Sequence, residues 1–577
     1  MFLSALMAIL MTLTNFLGGA PSPAATATPV LAAEEDFSYE IKNGEATIDI
    51  YWGDALHPIV PETLDGVPVT TITNLSFTSV DIESITLPKS VTTIEPGAFS
   101  LCDTLLNIYV DAENTSYKSL DGLLLDAADT LLFLPPLRQS TPLPDGIRGL
   151  GARTFSSSYI EAVTLPNNLT RIESEAFSLC FNLKSIHIPK TVTEIGENPF
   201  HACLALESIT VDSENPVFEI QDGALVNKET HTLLVYPSQR SAAEYTVRAD
   251  ITRIGDNAFD GAAHLAHINL PEGLDSIGAD AFSACESMAE ITLPASVSDI
   301  ASTAFTCCLE LKRINVHEDN PSFAQIGGVL FSKDKRTLLA YPNKKVAIYT
   351  VPDGTTAIGN DAFAYCYNLM KVKLPEGVVS IGDSAFYHCG LCVINFPASL
   401  KEIGEYAFMY SDINSVLLPE GFADLGPYAF YYCPDLKSVS LPASLKNVSV
   451  YAFGSALLLT HLDIKEGTTE IGEHAFSGCE KLKSLSLPEG LLSLGASAFS
   501  FCTSLTEISL PSSLQIIDAY AFSFSESIDN LFLPPQITYI NDTAFAGLPQ
   551  TTAFSVEKGS YAEQWATANG YGINLSN

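Results

Sequence analysis

The sequence predicts a solenoid, a right-handed coil of short repeats that share one long, curved parallel β-sheet. Three observations lead to this prediction. The chain has 577 residues, which is more than a single compact core usually organises. Apolar residues make up 47% of the chain, enough to bury an extended core. A phenylalanine, usually preceded by alanine, recurs along the chain, and most steps between successive copies are 22 or 23 residues.

The recurring phenylalanine marks one position in each repeat. Its copies are Phe77, Phe99, Phe155, Phe177, Phe200, Phe259, Phe282, Phe305, Phe363, Phe386, Phe408, Phe430, Phe453, Phe476, Phe499, Phe522 and Phe545. Three steps are longer and share the texts VDAENTSYKSLDGLLL, VDSENPVFEIQDGALV and VHEDNPSFAQIGGVLF. Periods of 20 to 30 residues with Leu and Ile at fixed offsets are typical of leucine-rich repeats. We expect each longer unit to add a β-hairpin at DGLLL, DGALV or GGVLF.

A single repeat indicates the path of the chain. Ile186 and Ile188 alternate with two polar residues, as in a short strand that buries one face. Pro189 has no amide hydrogen to continue a ladder, so the strand should end there. The same frame predicts strands of one continuous sheet near residues 84–87, 185–188, 290–293, 371–374, 438–441, 484–487 and 507–510.

The first 33 residues are predicted to be a signal peptide. The apolar run MFLSALMAILMTLTNFLGG precedes small residues, and we expect cleavage near Ala27 or Ala33. A retained membrane anchor fits less well, because the run is shorter than the roughly 20 residues that span a bilayer and is broken by polar residues. The rest of the chain is predicted to comprise an N-terminal β cap (34–75), the repeat array (76–550) and a C-terminal cap with a short helix (551–577).

The charge of the chain limits its partners. Asp and Glu number 67 against 29 Lys and Arg, a formal charge of −38. Such a field repels phosphate backbones and anionic lipid headgroups. The sequence therefore argues against a nucleic acid partner, and no later segment is long and apolar enough to insert into a membrane.

The cysteines follow the repeat. Ten of the 12 stand three residues after a repeat phenylalanine: Cys102, Cys180, Cys203, Cys285, Cys308, Cys366, Cys389, Cys433, Cys479 and Cys502. This regularity predicts small buried side chains rather than metal ligands. The text CGLC has the spacing of dithiol redox motifs, but aligned repeats carry lysine where Cys392 stands. We therefore predict an exposed thiol at Cys392, either free or in a local bridge.

No motif for catalysis is evident. The sequence lacks HExxH, a phosphate-binding P-loop and a GxSxG elbow, and no pair of carboxylates stands out among the 67 acidic residues. We predict a protein without catalytic activity, cofactor or metal.

Tyrosine is unevenly distributed. Nine of the 22 tyrosines lie between residues 365 and 451, and eight hold fixed offsets from the repeat phenylalanine. These eight form a candidate partner-binding patch, which would require several of them to be more than half exposed: Tyr365, Tyr387, Tyr406, Tyr410, Tyr428, Tyr431, Tyr432 and Tyr451. The alternative is that these rings only fill grooves between repeats on the outside of the coil.

The repeats resemble a known family. The units LPKTVTEIGENPF, LPEGLDSIGADAFSAC and LPEGVVSIGDSAFYHC, together with the long unit that runs from DNPSF to YTVPDGTTAIGNDAF, closely resemble BspA-like leucine-rich repeat proteins of bacteria. The resemblance extends over residues 37–572. It implies a secreted or surface-exposed bacterial protein, with adhesion or binding to host or neighbouring-cell proteins in some members. It implies no catalytic residues.

These observations predict a function. We expect a secreted or cell-surface scaffold for protein binding or adhesion, acting as a monomer on a protein or glycan of a host or neighbouring cell. One alternative is a structural spacer of the cell envelope or matrix. Another is a glycan- or peptide-processing enzyme whose site is not recognisable in the sequence.

Overall fold

The computed structural model describes residues 28–78, 80–99, 102–136, 138 and 142–576. Most of the predicted signal peptide, residues 1–27, lies outside the described residues. The fold is a parallel β-solenoid, as predicted. The chain forms two compact units, Met1–Cys180 with Thr191–Pro199 and Phe181–Lys190 with Phe200–Asn577. The boundaries that we predicted for the caps and the repeat array stay predictions.

The predicted strands occupy one position in each repeat and pair in parallel with equivalent strands of neighbouring repeats; we call this set of strands the first ladder. All seven predicted strands are present with ends within one residue. In the first unit its strands are Val30–Leu31, Pro58–Ile59, Ser84–Leu87, Asn107–Val110 and Ala162–Val163. In the second unit they are Ser185–Ile188, Ser208–Val211, Glu244–Thr246, His267–Asn269, Glu290–Leu293, Arg313–Val316, Ile348–Thr350, Lys371–Lys373, Val393–Ile394, Ser415–Leu417, Ser438–Leu441, His461–Ile464, Ser484–Ser486, Glu507–Ser509, Asn530–Leu533, Ala553–Glu557 and Gly572–Ser576. They form several separate sheets of two to four strands rather than one continuous sheet.

A second parallel ladder follows the first in each repeat and was not predicted. Its strands are only two residues long, so alternation of apolar and polar residues cannot reveal them. In the first unit they are Thr93–Ile94, Gly149–Leu150, Arg171–Ile172 and Glu194–Ile195. In the second unit they are Arg253–Ile254, Ser276–Ile277, Asp299–Ile300, Ala357–Ile358, Ser380–Ile381, Glu402–Ile403, Asp424–Leu425, Asn447–Val448, Glu470–Ile471, Ser493–Leu494, Ile516–Ile517 and Tyr539–Ile540.

The three longer units form the expected β-hairpins. Each adds two antiparallel strands and a third that starts a new stretch of the second ladder. The strands are Tyr117–Leu120, Leu123–Asp126 and Thr130–Phe133; Phe218–Gln221, Ala224–Asn227 and Thr232–Val235; and Phe323–Ile326, Val329–Ser332 and Thr337–Ala340. Both central residues of each turn have positive φ, as at Asp222 (43°) and Gly223 (84°), which is the pattern of a type I′ turn.

A basic side chain closes each hairpin turn. The Arg240 guanidinium donates a hydrogen bond to the main-chain oxygen of Asp222, and the Lys345 ammonium does the same to Gly327. Arg138 and Asp121 form the equivalent contact in the first unit. Some of the few cations of this acidic chain thus stabilise turns.

A buried asparagine fixes the start of the hairpin units. The Asn320 amide donates to the main-chain oxygens of Pro294 and Val297, both at 2.9 Å, and its oxygen accepts from the amides of Ser322 (2.9 Å) and Phe323 (2.8 Å). Asn320 is fully buried, and its bonds to Pro294, Val297 and Phe323 satisfy main-chain groups that are buried as well. Asn215 and Asn114 occupy the same place in the other two hairpin units.

The repeat phenylalanines stack along the core. From Phe363 to Phe545 the centroids of neighbouring rings lie 4.7–5.7 Å apart, and their planes differ by only 2–11°. The ten cysteines three residues later are buried, as predicted. Seven of them also have a role that we did not predict: the thiol donates to the main-chain oxygen of the phenylalanine one repeat earlier, as from Cys433 to Phe408 at 3.2 Å.

Strands and a helix that do not follow the repeat pattern flank the repeats within the described residues. Near the N-terminus, Phe37–Lys42 and Glu45–Tyr51 form an antiparallel pair after a 3-10 turn at Glu34–Asp36, and Thr63–Leu64 pairs with Val67–Ile72. At the C-terminus the helix Tyr561–Ala568 begins after Ser560, whose hydroxyl accepts from the Glu563 amide at 3.2 Å. Its buried Trp565 packs on Phe545 and Phe554. Within the part of the chain that the structure describes, no helix has the length and apolar character to cross a membrane.

Candidate binding surface

The predicted tyrosines lie at the corner of the coil that carries the repeat phenylalanines. At this corner, alternate main-chain amides donate to the next repeat: Tyr428 to Val450 (3.0 Å), Phe430 to Ala452 (2.8 Å) and Tyr432 to Gly454 (2.9 Å). Residues with the same offset therefore stack one per repeat. We call the residues two before each phenylalanine the upstream line and those two after it the downstream line.

The upstream line contains a column of stacked rings. Tyr406 and Tyr428 have ring centroids 5.1 Å apart, Tyr428 and Tyr451 4.7 Å, and Tyr451 and His474 4.3 Å. The last two pairs are nearly parallel, with planes 8° and 9° apart. Tyr431 meets Tyr428 and Tyr451 edge to face, each at 5.6 Å. Such pairs contribute roughly 0.5–1.5 kcal/mol each beyond the burial of their area.

The downstream line contains a more open arrangement of rings. The centroid of Tyr410 lies 5.2 Å from that of Tyr432 and 5.6 Å from that of His388, with the rings tilted or edge to face. Tyr365 contacts both Tyr387 (5.5 Å) and His388 (5.9 Å). The Tyr431 and Tyr432 rings, 6.3 Å apart, join this line to the upstream column.

All eight predicted tyrosines thus belong to one connected group, which we call the aromatic cluster. Three further members were missing from the predicted patch: Tyr367, His388 and His474. The hydroxyl of Tyr367 lies 3.2 Å from Nδ1 of His388. Both histidines hold the same offsets as the tyrosines, so a search for any aromatic residue in these frames would have found them.

The expectation that several of these tyrosines are more than half exposed is wrong. Tyr432, the most exposed of the eight, has 43% of its surface exposed, and the other seven are half-buried. The physical reason is that rings stacked one per repeat cover one another's faces. Burial accordingly raises the pKa of the Tyr387 and Tyr410 hydroxyls and lowers the pKa of His388 and His474.

The main chain at these positions disfavours tyrosine. Six of the eight tyrosines have φ between 52° and 60°, the left-handed region: Tyr365, Tyr406, Tyr410, Tyr428, Tyr432 and Tyr451. Large L residues are uncommon there, and glycine, asparagine and aspartate are preferred. Several other repeats follow this preference, with Asn257, Gly261, Asp280 and Gly478 in the same frames, although Arg153 and Leu179 show that larger residues also occur there. The tyrosines are therefore not required by the turn.

The downstream line is interrupted after Tyr432. The next two positions hold Ser455 and Gly478, and the line then continues with Phe501 and Phe524. These two phenylalanine rings are stacked 4.9 Å apart, and their exposed fractions are 50% and 43%. We call the two-repeat interval over Ser455 and Gly478 the gap.

Charge around the cluster has one sign. The corner segments 359–367, 382–390, 404–412, 426–434, 449–457 and 472–480 contain no lysine or arginine. The same segments carry Asp361, Asp383, Glu405, Asp412, Glu473 and Glu480. Burial raises the pKa of Asp361 and Asp412, and neighbouring carboxylates add to both shifts. The surface of the cluster therefore joins aromatic rings to negative charge.

Cys392 is only partly exposed. It is half-buried, and its thiol donates to the main-chain oxygen of Gly390 at 3.5 Å. Burial and, after it, Asp412 raise the pKa of the thiol, which lowers its reactivity at neutral pH. Cys389 and Cys392 are both free thiols, so no local bridge joins them. Within the described residues, no group of three or more His, Cys, Asp or Glu side chains is placed to hold a metal ion.

Comparison with known proteins identifies the repeat. The model of the BspA type leucine rich repeat region matches six copies over residues 65–120, 138–232, 236–348, 338–458 and 446–566. The chain belongs to this family. BspA-type proteins are repeat scaffolds of bacterial surfaces that suit protein binding, and such scaffolds usually have no enzymatic activity.

Several solved structures are similar to this BspA-type chain. A leucine rich cell surface protein from Faecalibacterium prausnitzii is 22% identical, with 76% of this chain and 96% of that one covered and a TM-score of 0.35. A leucine-rich repeat protein from Eubacterium ventriosum is 23% identical, with 67% and 83% covered and a TM-score of 0.37. The pneumococcal vaccine antigen PcpA is 18% identical, with 95% and 98% covered and a TM-score of 0.34. A search of curated proteins found no match.

Proposed function

We propose that this protein is a secreted or cell-surface scaffold without catalytic activity, which binds a partner protein on a host or neighbouring cell through the aromatic cluster. We expect it to act as a monomer. One observation carries the proposal: six tyrosines stand together at left-handed positions where several other repeats of the same chain use glycine, asparagine or aspartate and others use small residues such as serine or alanine. Some interaction other than the main-chain turn must therefore favour tyrosine at these positions.

Ring packing within the cluster provides only part of that benefit. A left-handed conformation costs a large L residue about 1–2 kcal/mol. Each aromatic pair returns about 0.5–1.5 kcal/mol, and two rings share that gain, so a ring with two or three partners recovers roughly the same amount. The two contributions nearly cancel, so packing alone gives little reason to prefer tyrosine to asparagine. Binding gives a stronger reason, because rings already ordered by their neighbours lose little conformational entropy when a partner covers their exposed edges.

Partner capture is expected to depend on the tyrosine beside the gap. Replacing Tyr432 with serine should weaken binding of the full chain to cells that carry the partner by about tenfold or more, because a central aromatic contact contributes about 2 kcal/mol or more. Tyr520 provides the matched control, since it has positive φ, is 46% exposed and lies in the upstream line outside the cluster. Tyr520→Ser should bind as the wild type does.

The measurement is the binding of labelled protein to intact cells, with and without prior treatment of the cells with protease. Protease treatment should abolish the binding, because we propose a protein partner. Binding by Tyr432→Ser that equals that of the wild type would contradict the proposal and favour a purely structural role for the rings. Binding that survives protease treatment but is lost after glycosidase treatment would replace the protein partner with a glycan.

Export should leave Thr28 at the N-terminus of the mature chain. Val30–Leu31 pairs in parallel with Pro58–Ile59, and Ala32 is buried in the adjoining core. Cleavage after Ala27 retains this strand, whereas cleavage after Ala33 removes it. Mass spectrometry of the exported protein checks this expectation, and a mature chain that starts at Glu34 would contradict it.

A further inference from the structure

We infer that the gap over Ser455 and Gly478 receives arginine side chains of the partner protein, whose guanidinium groups continue the line of rings between Tyr432 and Phe501. The inference rests on the proposed function and names the chemistry of its partner. It predicts an arginine-bearing protein segment as the occupant.

The main chain aligns the two sides of the gap. Tyr432, Ser455, Gly478 and Phe501 each donate their amide to the next repeat, at 2.9, 2.6, 2.8 and 2.8 Å. The four positions therefore form one unbroken line, in which only the rings of the middle two are missing. At about 4.8 Å per repeat, the rings that border the gap lie about 14 Å apart.

The gap has small residues at its base and an aromatic ring on each side. Gly478 carries no side chain, and Ser455 carries a small one. On either side, Tyr432 and Phe501 have 43% and 50% of their surface exposed. Planar groups of a partner can therefore enter the line and lie against these rings, at spacings like the 5.2 Å between Tyr410 and Tyr432.

Charge selects arginine as the occupant. Glu480 is exposed and lies beside the base of the gap, where its amide donates to the Gly478 oxygen at 2.9 Å, and the chain as a whole carries a formal charge of −38. A guanidinium is planar, stacks on aromatic rings and pairs with carboxylates through two hydrogen bonds. An ammonium cannot stack as a plane, a neutral sugar gains nothing from the carboxylates, and an anionic ligand is repelled by them.

A variant that fills the gap provides the decisive test. Ser455 has φ of 58°, close to the 52° of Tyr432, so Ser455→Tyr can adopt the main-chain conformation that its neighbour already has. The substitution leaves the charge unchanged, and non-specific attraction of cations to the acidic chain is therefore the same. The matched control is Ala284→Tyr, which lies in the same frame (φ 52°) of a repeat outside the cluster.

The probe is a fluorescent peptide of eight arginines, compared with the same peptide of eight citrullines, in fluorescence anisotropy at about 0.15 M salt. We expect the arginine peptide to bind the wild type and Ala284→Tyr at least about tenfold more tightly than it binds Ser455→Tyr. The citrulline peptide has side chains of the same shape without the positive charge. It should bind the wild type at least about tenfold more weakly than the arginine peptide does. Phe501→Leu keeps an apolar residue but removes the ring. It provides a second test and should also weaken binding of the arginine peptide.

Two results would overturn the inference. The first is equal affinity of the arginine peptide for the wild type, Ser455→Tyr and Phe501→Leu, which places any binding outside the gap. The second is an affinity of the wild-type protein for the citrulline peptide that equals or exceeds its affinity for the arginine peptide. In either case, loss of cell binding by Tyr432→Ser would leave the proposed function standing, whereas unchanged cell binding by Tyr432→Ser would remove the proposed function itself.

Discussion

Replacing Phe430 with alanine is expected to lower the free energy of unfolding by about 3–5 kcal/mol. The side chain is fully buried, and its ring stacks on Phe408 at 4.9 Å and on Phe453 at 5.2 Å. Removing it leaves a cavity that borders both neighbouring repeats, and neither can close it without breaking its own main-chain register. The effect should be largest in these repeats, because a repeat contacts little beyond its neighbours.

Hydrogen exchange of peptides from residues 400–460, together with urea unfolding of the full chain, measures this loss. Phe532→Ala is the matched control, since Phe532 is 47% exposed on a strand of the first ladder and its removal should change the free energy by less than about 0.5 kcal/mol. Equal losses from the two substitutions would show that the assignment of inward and outward positions is wrong.

Replacing Asn320 with alanine is expected to destabilise the hairpin unit that follows by on the order of 3 kcal/mol. Four main-chain groups lose their partner at once, two carbonyl oxygens and two amides, at a site that is fully buried. An unsatisfied buried polar group costs about 1–3 kcal/mol, and rearrangement of the loop recovers part of the sum.

Amide exchange at residues 317–332 should increase in Asn320→Ala, and the midpoint of thermal unfolding should fall. The control is Asn368→Ala, because Asn368 is exposed and its removal should leave both measurements nearly unchanged. If Asn320→Ala were as stable as Asn368→Ala, the four hydrogen bonds could not be what holds the hairpin unit in place.

Much of the fold could be predicted because one period governs it. The alternation of Ile186 and Ile188 with polar neighbours located the first ladder, and the Asp-Gly and Gly-Gly pairs located the hairpins. The second ladder could not be predicted, because two residues are too few to show a periodicity. The role of Asn320 was hidden for another reason: its partners are main-chain groups, two in the preceding repeat and two just after Asn320, and main-chain groups carry no sequence signal.

The aromatic cluster was predicted in part. Shared offsets correctly implied that Tyr406, Tyr428 and Tyr451 lie in one line, because a stack aligns equal positions. The exposed fraction of each tyrosine ring could not be predicted from the offsets, since it depends on how much of each ring the neighbouring ring covers. The gap also escaped notice, because Ser455 and Gly478 are unremarkable residues until the rings on either side are placed.

The register at the coil corner, one residue per repeat in each line, has a consequence for evolution. A gene duplication or deletion of one whole repeat leaves every main-chain partner equivalent, so the protein can change its repeat number without redesigning its core. Such an event between Tyr432 and Phe501 would move the two rings apart or together by a single step of about 4.8 Å. Related genes could therefore diverge in ligand preference through recombination alone, before any residue at the surface is substituted.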